Sequence, residues 1–263
     1  MYAATYIKAK DVADAVKHLK EADEGKLLAG GQTLIPTLKQ RLASSDLLID
    51  LTDTGLSGIS DEGSSIRIGA MTRHVEVETS ERVKKAIPAL AALAGGIGDR
   101  QVRNCGTIGG SVANNDPSAC YPAAVMALGA TVHTDKRDIA AGDYFAGMFE
   151  TALVEDEVIT AVSFPNPEAA SYVKFPNPAS RYAMVGVFVA KTSRGVAVAI
   201  TGAGQDGVFR HDGLESALNS SFSVDSVDVV DIDDTMLMSD MHASADYRAH
   251  LITEMTKRAV AAC

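Results

Sequence analysis

Apolar residues recur at helical spacing in some stretches of the chain and in short β-like runs in others. Val12, Ala15, Val16 and Leu19 follow Asp11, a helix-capping residue, and predict a helix over 11–23. A short apolar stretch at 27–29 runs into Gly30-Gly31. Leu34, Leu38 and Leu42 share a helical face, so 33–42 reads as a second helix, with Pro36 tolerated in its first turn. Residues 47–51 predict a strand, 54–64 a turn-rich connection, 66–68 a strand and 72–78 a short helix. An alanine-rich helix at 88–98 is opened by Pro88 and stopped by glycines. Residues 104–117, rich in glycine and small polar residues, read as a loop before an apolar helix at 118–128. Strands are predicted at 131–133 and 158–164. Residues 183–191 and 195–201 predict a hairpin turning at 192–194, and 214–218 and 246–262 predict helices.

This mixture lacks the strict βαβα rhythm of a doubly wound sheet and predicts an α+β fold. Pro165, Pro167, Pro176 and Pro178 bracket residues 169–175, and that shift in composition marks the best domain boundary. There is no internal repeat.

Composition narrows the function classes. The chain has 263 residues, 24 Lys plus Arg against 34 Asp plus Glu, and a net charge of −10. That balance repels nucleic acid and anionic membrane surfaces. No apolar run approaches the ~20 residues of a membrane-spanning helix, and the N-terminus lacks the pattern of a secretory signal. Three separated cysteines, Cys105, Cys120 and Cys263, argue against a disulfide framework and fit a cytoplasmic compartment. They are too few to hold an iron–sulfur cluster or a four-thiolate zinc site.

Two glycine motifs are candidates for chemistry. The first, Ala29-Gly30-Gly31-Gln32-Thr33, joins a short apolar stretch to a helix. Paired glycines allow close backbone approach, and a helix start offers N–H groups to a phosphate. The second, Gly106-Thr107-Ile108-Gly109-Gly110-Ser111, precedes the polar run Asn114-Asn115-Asp116. Its hydroxyls and open N–H groups suit a pyrophosphate, and an Asp suits a chain of sugar hydroxyls. Each motif taken singly also reads as an ordinary turn; two together suggest a clamp on one pyrophosphate.

Other patterns carry less. Gly202-Ala203-Gly204-Gln205-Asp206-Gly207 matches GxGxxG, but no helix opens at its third glycine, so a nicotinamide site is not expected. The acids Asp225, Asp228, Asp231, Asp233 and Asp234 lack the spacing of a calcium loop and read as a solvated face. Cys105 reads as a small packing residue, and there is no HExxH or GxSxG.

The segments AGGQTLIPTLKQRL (29–42), IRIGAMTRHVEVE (66–78) and IPALAALAGGIGDRQVRNCGTIGGSVANNDPSACYP (87–122) resemble the FAD-binding medium subunits of molybdenum hydroxylases, the family of the carbon monoxide dehydrogenase medium chain and the xanthine dehydrogenase flavin subunit. Residues 143–165 and 174–190 extend the resemblance, which runs to about Arg210. It implies a two-subdomain FAD-binding fold of the vanillyl-alcohol-oxidase type, residues 1–167 with subdomains of about 1–53 and 61–167. A C-terminal α+β domain with a small antiparallel sheet follows at 171–263. By resemblance, Gly30, Gly31, Gln32 and Thr33 form the first FAD loop, and Thr107, Ile108, Gly109, Gly110 and Ser111 the second. Asp116 would face the ribityl chain or pyrophosphate, while Lys174 and Tyr182 would lie near the isoalloxazine. Ala29, Leu34, Thr72, Asn114 and Ile159 complete the implied cofactor-binding set. Cys120 stands where many relatives have an acidic residue that reaches the flavin, and Ser180-Arg181 where an Arg-x-x-Asp run is common.

The resemblance also implies a division of labour. The chain would bind FAD and supply no catalytic side chain or metal ligand of its own. The molybdenum cofactor would sit on a large partner subunit and [2Fe-2S] clusters on a small one, in a dimer of heterotrimers. The alternative is a self-contained FAD-dependent oxidase with its own substrate pocket, for which no acid–base residue is evident. A flavin-free scaffold is a third reading, opposed by the two intact glycine motifs.

Overall fold

A computed structural model describes residues 1–263. The chain opens with β1 (Thr5–Lys8), α1 (Val12–Glu21), β2 (Gly25–Leu28), α2 (Leu34–Lys39) and β3 (Leu47–Asp50). These strands form a parallel sheet in the order β1-β3-β2, so the first fifty residues do follow a βαβαβ rhythm. Asp11 caps α1 by accepting from the Asp14 N–H at 2.8 Å. The apolar stripe of α1 then lies over the sheet, with Ala15 and Ile49 fully buried. The helix expected at 33–42 is shorter, because Arg41 turns into the left-handed region at φ 60°.

The second layer begins with β4 (Ile59–Asp61), inside the stretch read as a connection, and β5 (Ser65–Gly69). Six helices follow: α3 (His74–Thr79), α4 (Glu81–Ala86), α5 (Pro88–Gly95), α6 (Arg100–Cys105), α7 (Ile108–Asn114) and α8 (Tyr121–Leu128). Then come β6 (Thr131–Thr134), β7 (Asp138–Ala140), α9 (Ala141–Tyr144), the small β8 (Phe145–Gly147) and β9 (Glu150–Thr151) pair, and β10 (Ile159–Pro165). The sheet order is β4-β5-β10-β6-β7, antiparallel throughout. Ile66 and Ile68 alternate inward along β5, as a half-buried strand requires. α5 and α8 are apolar on every face and are buried accordingly.

The third layer holds β11 (Ala169–Pro176), β12 (Ala183–Thr192), β13 (Gly195–Gly204), β14 (Gly207–Arg210), α10 (Asp212–Ser220), α11 (Asp225–Asp228) and α12 (Ala245–Ala261). Its antiparallel sheet runs β11-β12-β13-β14. β12 and β13 are almost unbroken apolar runs because both faces are covered. Phe188 and Ala190, paired with Ala199 and Ala197, share a core with α5 and α8. Val187 and Val189, paired with Ile200 and Val198, face Leu251, Ile252 and Met255 of α12. The proline-rich boundary is therefore where the third sheet begins, while the main core runs across it.

The GxGxxG sequence is the tip of a hairpin. Gly204 pairs with Gly207 around a two-residue turn, and β14 follows where a dinucleotide fold would place a helix. The five acids between Asp225 and Asp234 are all exposed. No helix is long and apolar enough to cross a membrane.

Candidate functional site

The site is built from segments far apart in sequence. Gly30 lies against the backbone of Cys105 and Gly106, and a Cβ at Gly30 would overlap the Cys105 carbonyl oxygen. Gly31 takes φ 67°, which a side chain disfavours. These two glycines let the β2–α2 loop bend onto the α6–α7 junction. Between them opens a cavity of about 670 Å³, closed on its other sides by segments 114–120 and 174–182.

Fifteen of the seventeen residues expected to bind cofactor line this cavity. They are Ala29, Gly30, Gly31, Gln32, Thr33 and Leu34 from the first motif, and Thr107, Gly109, Gly110 and Ser111 from the second. Asn114, Asp116, Ile159, Lys174 and Tyr182 complete the wall. Thr72 and Ile108 do not line it. The Thr72 hydroxyl is spent on the Gly58 backbone at 2.9 and 3.1 Å, and Ile108 points into the core.

The second motif is helical, not a loop. Thr107 caps α7, its hydroxyl accepting from the Gly110 N–H at 3.2 Å. Gly109 and Gly110 have negative φ, so left-handed geometry is not what they supply. A Cβ on Gly109 would lie 2.6 Å from the Ala70 Cβ, so this glycine lets α7 close onto the segment after β5. The Ile108 and Gly109 N–H groups already donate to Thr72 and Ala70 carbonyls, and Ser111 N–H to the Thr107 carbonyl. The second motif therefore offers the cavity a hydroxyl and a bare glycine backbone. The N–H groups of Gly31, Gln32 and Thr33 have no partner within the chain, so the first motif holds most of the open donors, with the Thr107 N–H left open in the second.

Charge in the cavity runs against the charge of the chain. Lys26, Lys174 and Arg181 line it, against Asp116 and Glu157. Arg137 holds Glu157 at 3.0 Å, and that hydrogen-bonded pairing lowers the Glu157 pKa to about 2 against the cost of burial. Burial raises the pKa of Asp116, whose Oδ1 accepts from the Ser118 N–H at 2.8 Å. Burial likewise raises the pKa of Tyr182, with Asp116 and Cys120 adding to it. Lys174 Nζ donates to the Gly96 carbonyl at 2.7 Å and to the Arg181 carbonyl at 3.0 Å.

His74, in the cavity wall, was not singled out by its sequence, since one histidine at a helix start has no distinguishing pattern. It is 5% exposed, packs against Gly106 and Tyr121, and leaves its Nδ1 without a partner. Burial, with Arg103 nearby, brings its pKa to about 4, so it is neutral near pH 7. Gly98, Ser118 and Lys26 also line the cavity unforeseen, brought there by folding alone. Cys105 contributes its carbonyl to the Gly30 contact while its side chain is exposed, so it is not the packing residue expected. No group of three or more His, Cys, Asp or Glu side chains is placed to hold a metal ion.

Residues 2–167 match the family described as the FAD binding domain in molybdopterin dehydrogenase. The nicotine 6-hydroxylase medium subunit of Paenarthrobacter nicotinovorans is 32% identical, over 98% of this chain and 96% of that protein. The carbon monoxide dehydrogenase medium chain of Afipia carboxidovorans is also 32% identical, over 97% of this chain and 94% of its own length. A structure of reconstituted carbon monoxide dehydrogenase from Oligotropha carboxidovorans superposes with a TM-score of 0.92 at 31% identity, covering 99% of this chain and 97% of that one.

Proposed function

This chain belongs to the family of FAD-binding domains of molybdopterin dehydrogenases, and on that premise we propose that it is the electron-transferring medium subunit of a heteromeric molybdenum-containing dehydrogenase. The observation that carries the reading is the meeting of the two glycine motifs across one cavity.

The cofactor is FAD, and the residues present fit it. The cavity is of ligand size. The unpartnered N–H groups of Gly31, Gln32 and Thr33 suit a pyrophosphate, and Gly110 presents backbone where a larger side chain would intrude. Three lining cations favour an anionic ligand in an otherwise acidic protein. Asp116 would accept from ribityl hydroxyls, and Lys174 and Tyr182 would border the ring. When bound, the flavin supplies the redox chemistry. The chain's own residues hold it, orient it and limit its exposure to water.

In this reading the chain receives electrons from [2Fe-2S] clusters of a small partner subunit and passes them to an external acceptor. Substrate oxidation belongs to a large molybdopterin partner, in a dimer of heterotrimers. The relatives support such partners, being medium subunits and medium chains. The three-stranded and five-stranded layers flanking one cavity support the vanillyl-alcohol-oxidase-type arrangement, divided at 1–167 and 171–263.

Titration of the folded chain with FAD should reach one equivalent. The loaded chain should take electrons from dithionite and pass them to a dye, yet oxidise neither an organic substrate nor carbon monoxide. A folded chain that takes up no FAD would sink the proposal. Turnover of an organic substrate, with molybdenum and iron shown to be absent, would replace it with the oxidase alternative.

A further inference from the structure

The five-stranded sheet has a second face, turned away from the main core. Val162 and Phe164 of β10 and Ile66 and Ile68 of β5 point into that core, so the residues between them, Ser163 and Arg67, stand on the opposite face. Val132 of β6 and Ile139 of β7 are likewise in the core, which turns His133 and Asp138 outward. Asp138, His133, Ser163 and Arg67 thus form a polar row across four adjacent strands, β7-β6-β10-β5. None of the four lines the cavity.

Three of them are hydrogen-bonded in series. His133 Nδ1 lies 2.6 Å from Asp138 Oδ1, and its Nε2 lies 2.8 Å from Ser163 Oγ. A carboxylate only accepts, so Asp138 keeps the ring proton on Nδ1. Nε2 is then the acceptor, and the Ser163 hydroxyl donates to it. The His133 side chain is only 15% exposed, so packing holds the ring between its two partners. A serine wired in this way is a nucleophile, because the base removes its proton as the oxygen attacks. The three residues come from three strands, and no GxSxG turn is needed to bring them together. Arg67 adds a positive charge. It stands directly opposite Ser163 in the β5–β10 ladder, where Cβ atoms on one face are about 5 Å apart. Its guanidinium is committed to no ion pair and no hydrogen bond within the chain.

We propose that Ser163, His133 and Arg67 form a hydrolytic site for small carboxylic esters on the outer face of this sheet, with Asp138 as the positioning residue of His133. The Ser163 oxygen attacks the ester carbonyl carbon as its proton passes to His133 Nε2. The new C–O bond forms while the carbonyl π pair moves onto oxygen, and Arg67 offsets the charge that develops there. Collapse of the adduct breaks the ester C–O bond, and the departing alkoxide takes the proton from Nε2 and leaves as alcohol. Water then attacks the acyl-serine by the same route, giving the carboxylic acid and free Ser163. The sequence is redox-neutral and uses only these side chains and water, so it stands apart from the flavin reading.

The full chain is treated with a fluorophosphonate probe, on which the serine oxygen displaces fluoride from phosphorus, and labelled peptides are followed in time by mass spectrometry. Hydrolysis of p-nitrophenyl acetate is measured in parallel. Ser163 should be labelled at least ~10-fold faster than the exposed Ser64 and Ser220. His133→Ala should slow that labelling about 100-fold, and added imidazole should restore part of it, which a merely structural histidine would not show. Arg67→Met should slow it about 10-fold or more. Asp138→Asn should slow it too, and Asp138→Glu should recover most of the rate. Circular dichroism checks that each variant folds. Labelling of Ser163 no faster than that of Ser64 and Ser220 in the folded wild type overturns the site. An unchanged rate in folded His133→Ala overturns the role of the histidine. Ester hydrolysis that survives intact in Ser163→Ala overturns the hydrolytic activity.

Discussion

Gly30 and Gly31 are adjacent but answer to different constraints. Gly31 needs its glycine for a left-handed φ, where an L side chain costs about 1–2 kcal/mol. Gly30 needs it for space, because a Cβ would run into backbone, which cannot rotate away. Gly30→Ala is therefore expected to push the two motifs apart and weaken FAD binding by at least ~10-fold, about 1.4 kcal/mol. Fluorescence titration of the folded variant measures this, and wild-type affinity would show that the contact does not shape the site. His74 adds a pH dependence. In the unfolded chain it takes a proton near its ordinary pKa of 6.5, while the folded chain resists until about 4. The unfolded state thus binds more protons across that window, and stability falls as pH drops from 6.5 towards 4. The shift corresponds to up to about 3 kcal/mol. Urea denaturation at about pH 7 and about pH 5 should show the loss in the wild type and a smaller one in His74→Leu. Equal losses in the two proteins would assign the acid sensitivity elsewhere.

Short helices and hairpins show where local sequence suffices. The α1 cap and apolar stripe, the buried α5 and α8, and the β12–β13 hairpin follow from spacing and turn chemistry. α6 and α7 do not, although their caps, Asp99 and Thr107, were present to be read. Helices of six and seven residues are too short to form by propensity, and glycine lowers it further. Their support comes from backbone bonds such as Ile108 N–H to Thr72, whose partners are far off in sequence. The reverse holds for the GxGxxG hairpin, which resembles a binding loop in sequence and is a structural turn. A Cβ on Gly204 would lie 2.6 Å from the Gly207 carbonyl oxygen, and no residue of 202–210 lines the cavity. Gly204→Ala should lower the melting temperature by several degrees, for a cost on the order of 1 kcal/mol, and leave the FAD affinity of the folded chain unchanged. Release of FAD by this variant, with Gly30→Ala still loaded, would place the cofactor at the wrong motif.

At the scale of the molecule, the third sheet serves two cores at once. One face of β12 and β13 covers α5 and α8, and the other packs on α12. A fragment ending at residue 167 would expose the apolar surface that Phe188, Ala190, Ala197 and Ala199 cover. It would also lack Lys174 and Tyr182 from the cavity wall. We expect that fragment to bind a hydrophobic dye and melt without a cooperative transition, whereas the full chain melts cooperatively. A cooperative fragment that binds FAD as tightly as the full chain would show that the third layer is dispensable to the site.

The sequence by itself determined the apolar periodicities, the residues that cap and stop helices, the two glycine motifs and the rejection of GxGxxG, because each depends on neighbours a few positions away. The resemblance read from the order of its motifs named seventeen cofactor-binding residues, and fifteen of them line one cavity. Only the tertiary structure decided which backbone donors stay free. Most of the open N–H groups lie in the first motif, because the carbonyls of Thr72 and Ala70 take the Ile108 and Gly109 N–H groups and Thr107 takes those of Gly110 and Ser111. It likewise decided that Gly30 meets Cys105, that His74 is buried neutral, and that Lys174 reaches Cys120. Each is a contact between segments whose separation along the chain carries no local signal, and burial, which sets the pKa of His74, exists only once those segments have packed.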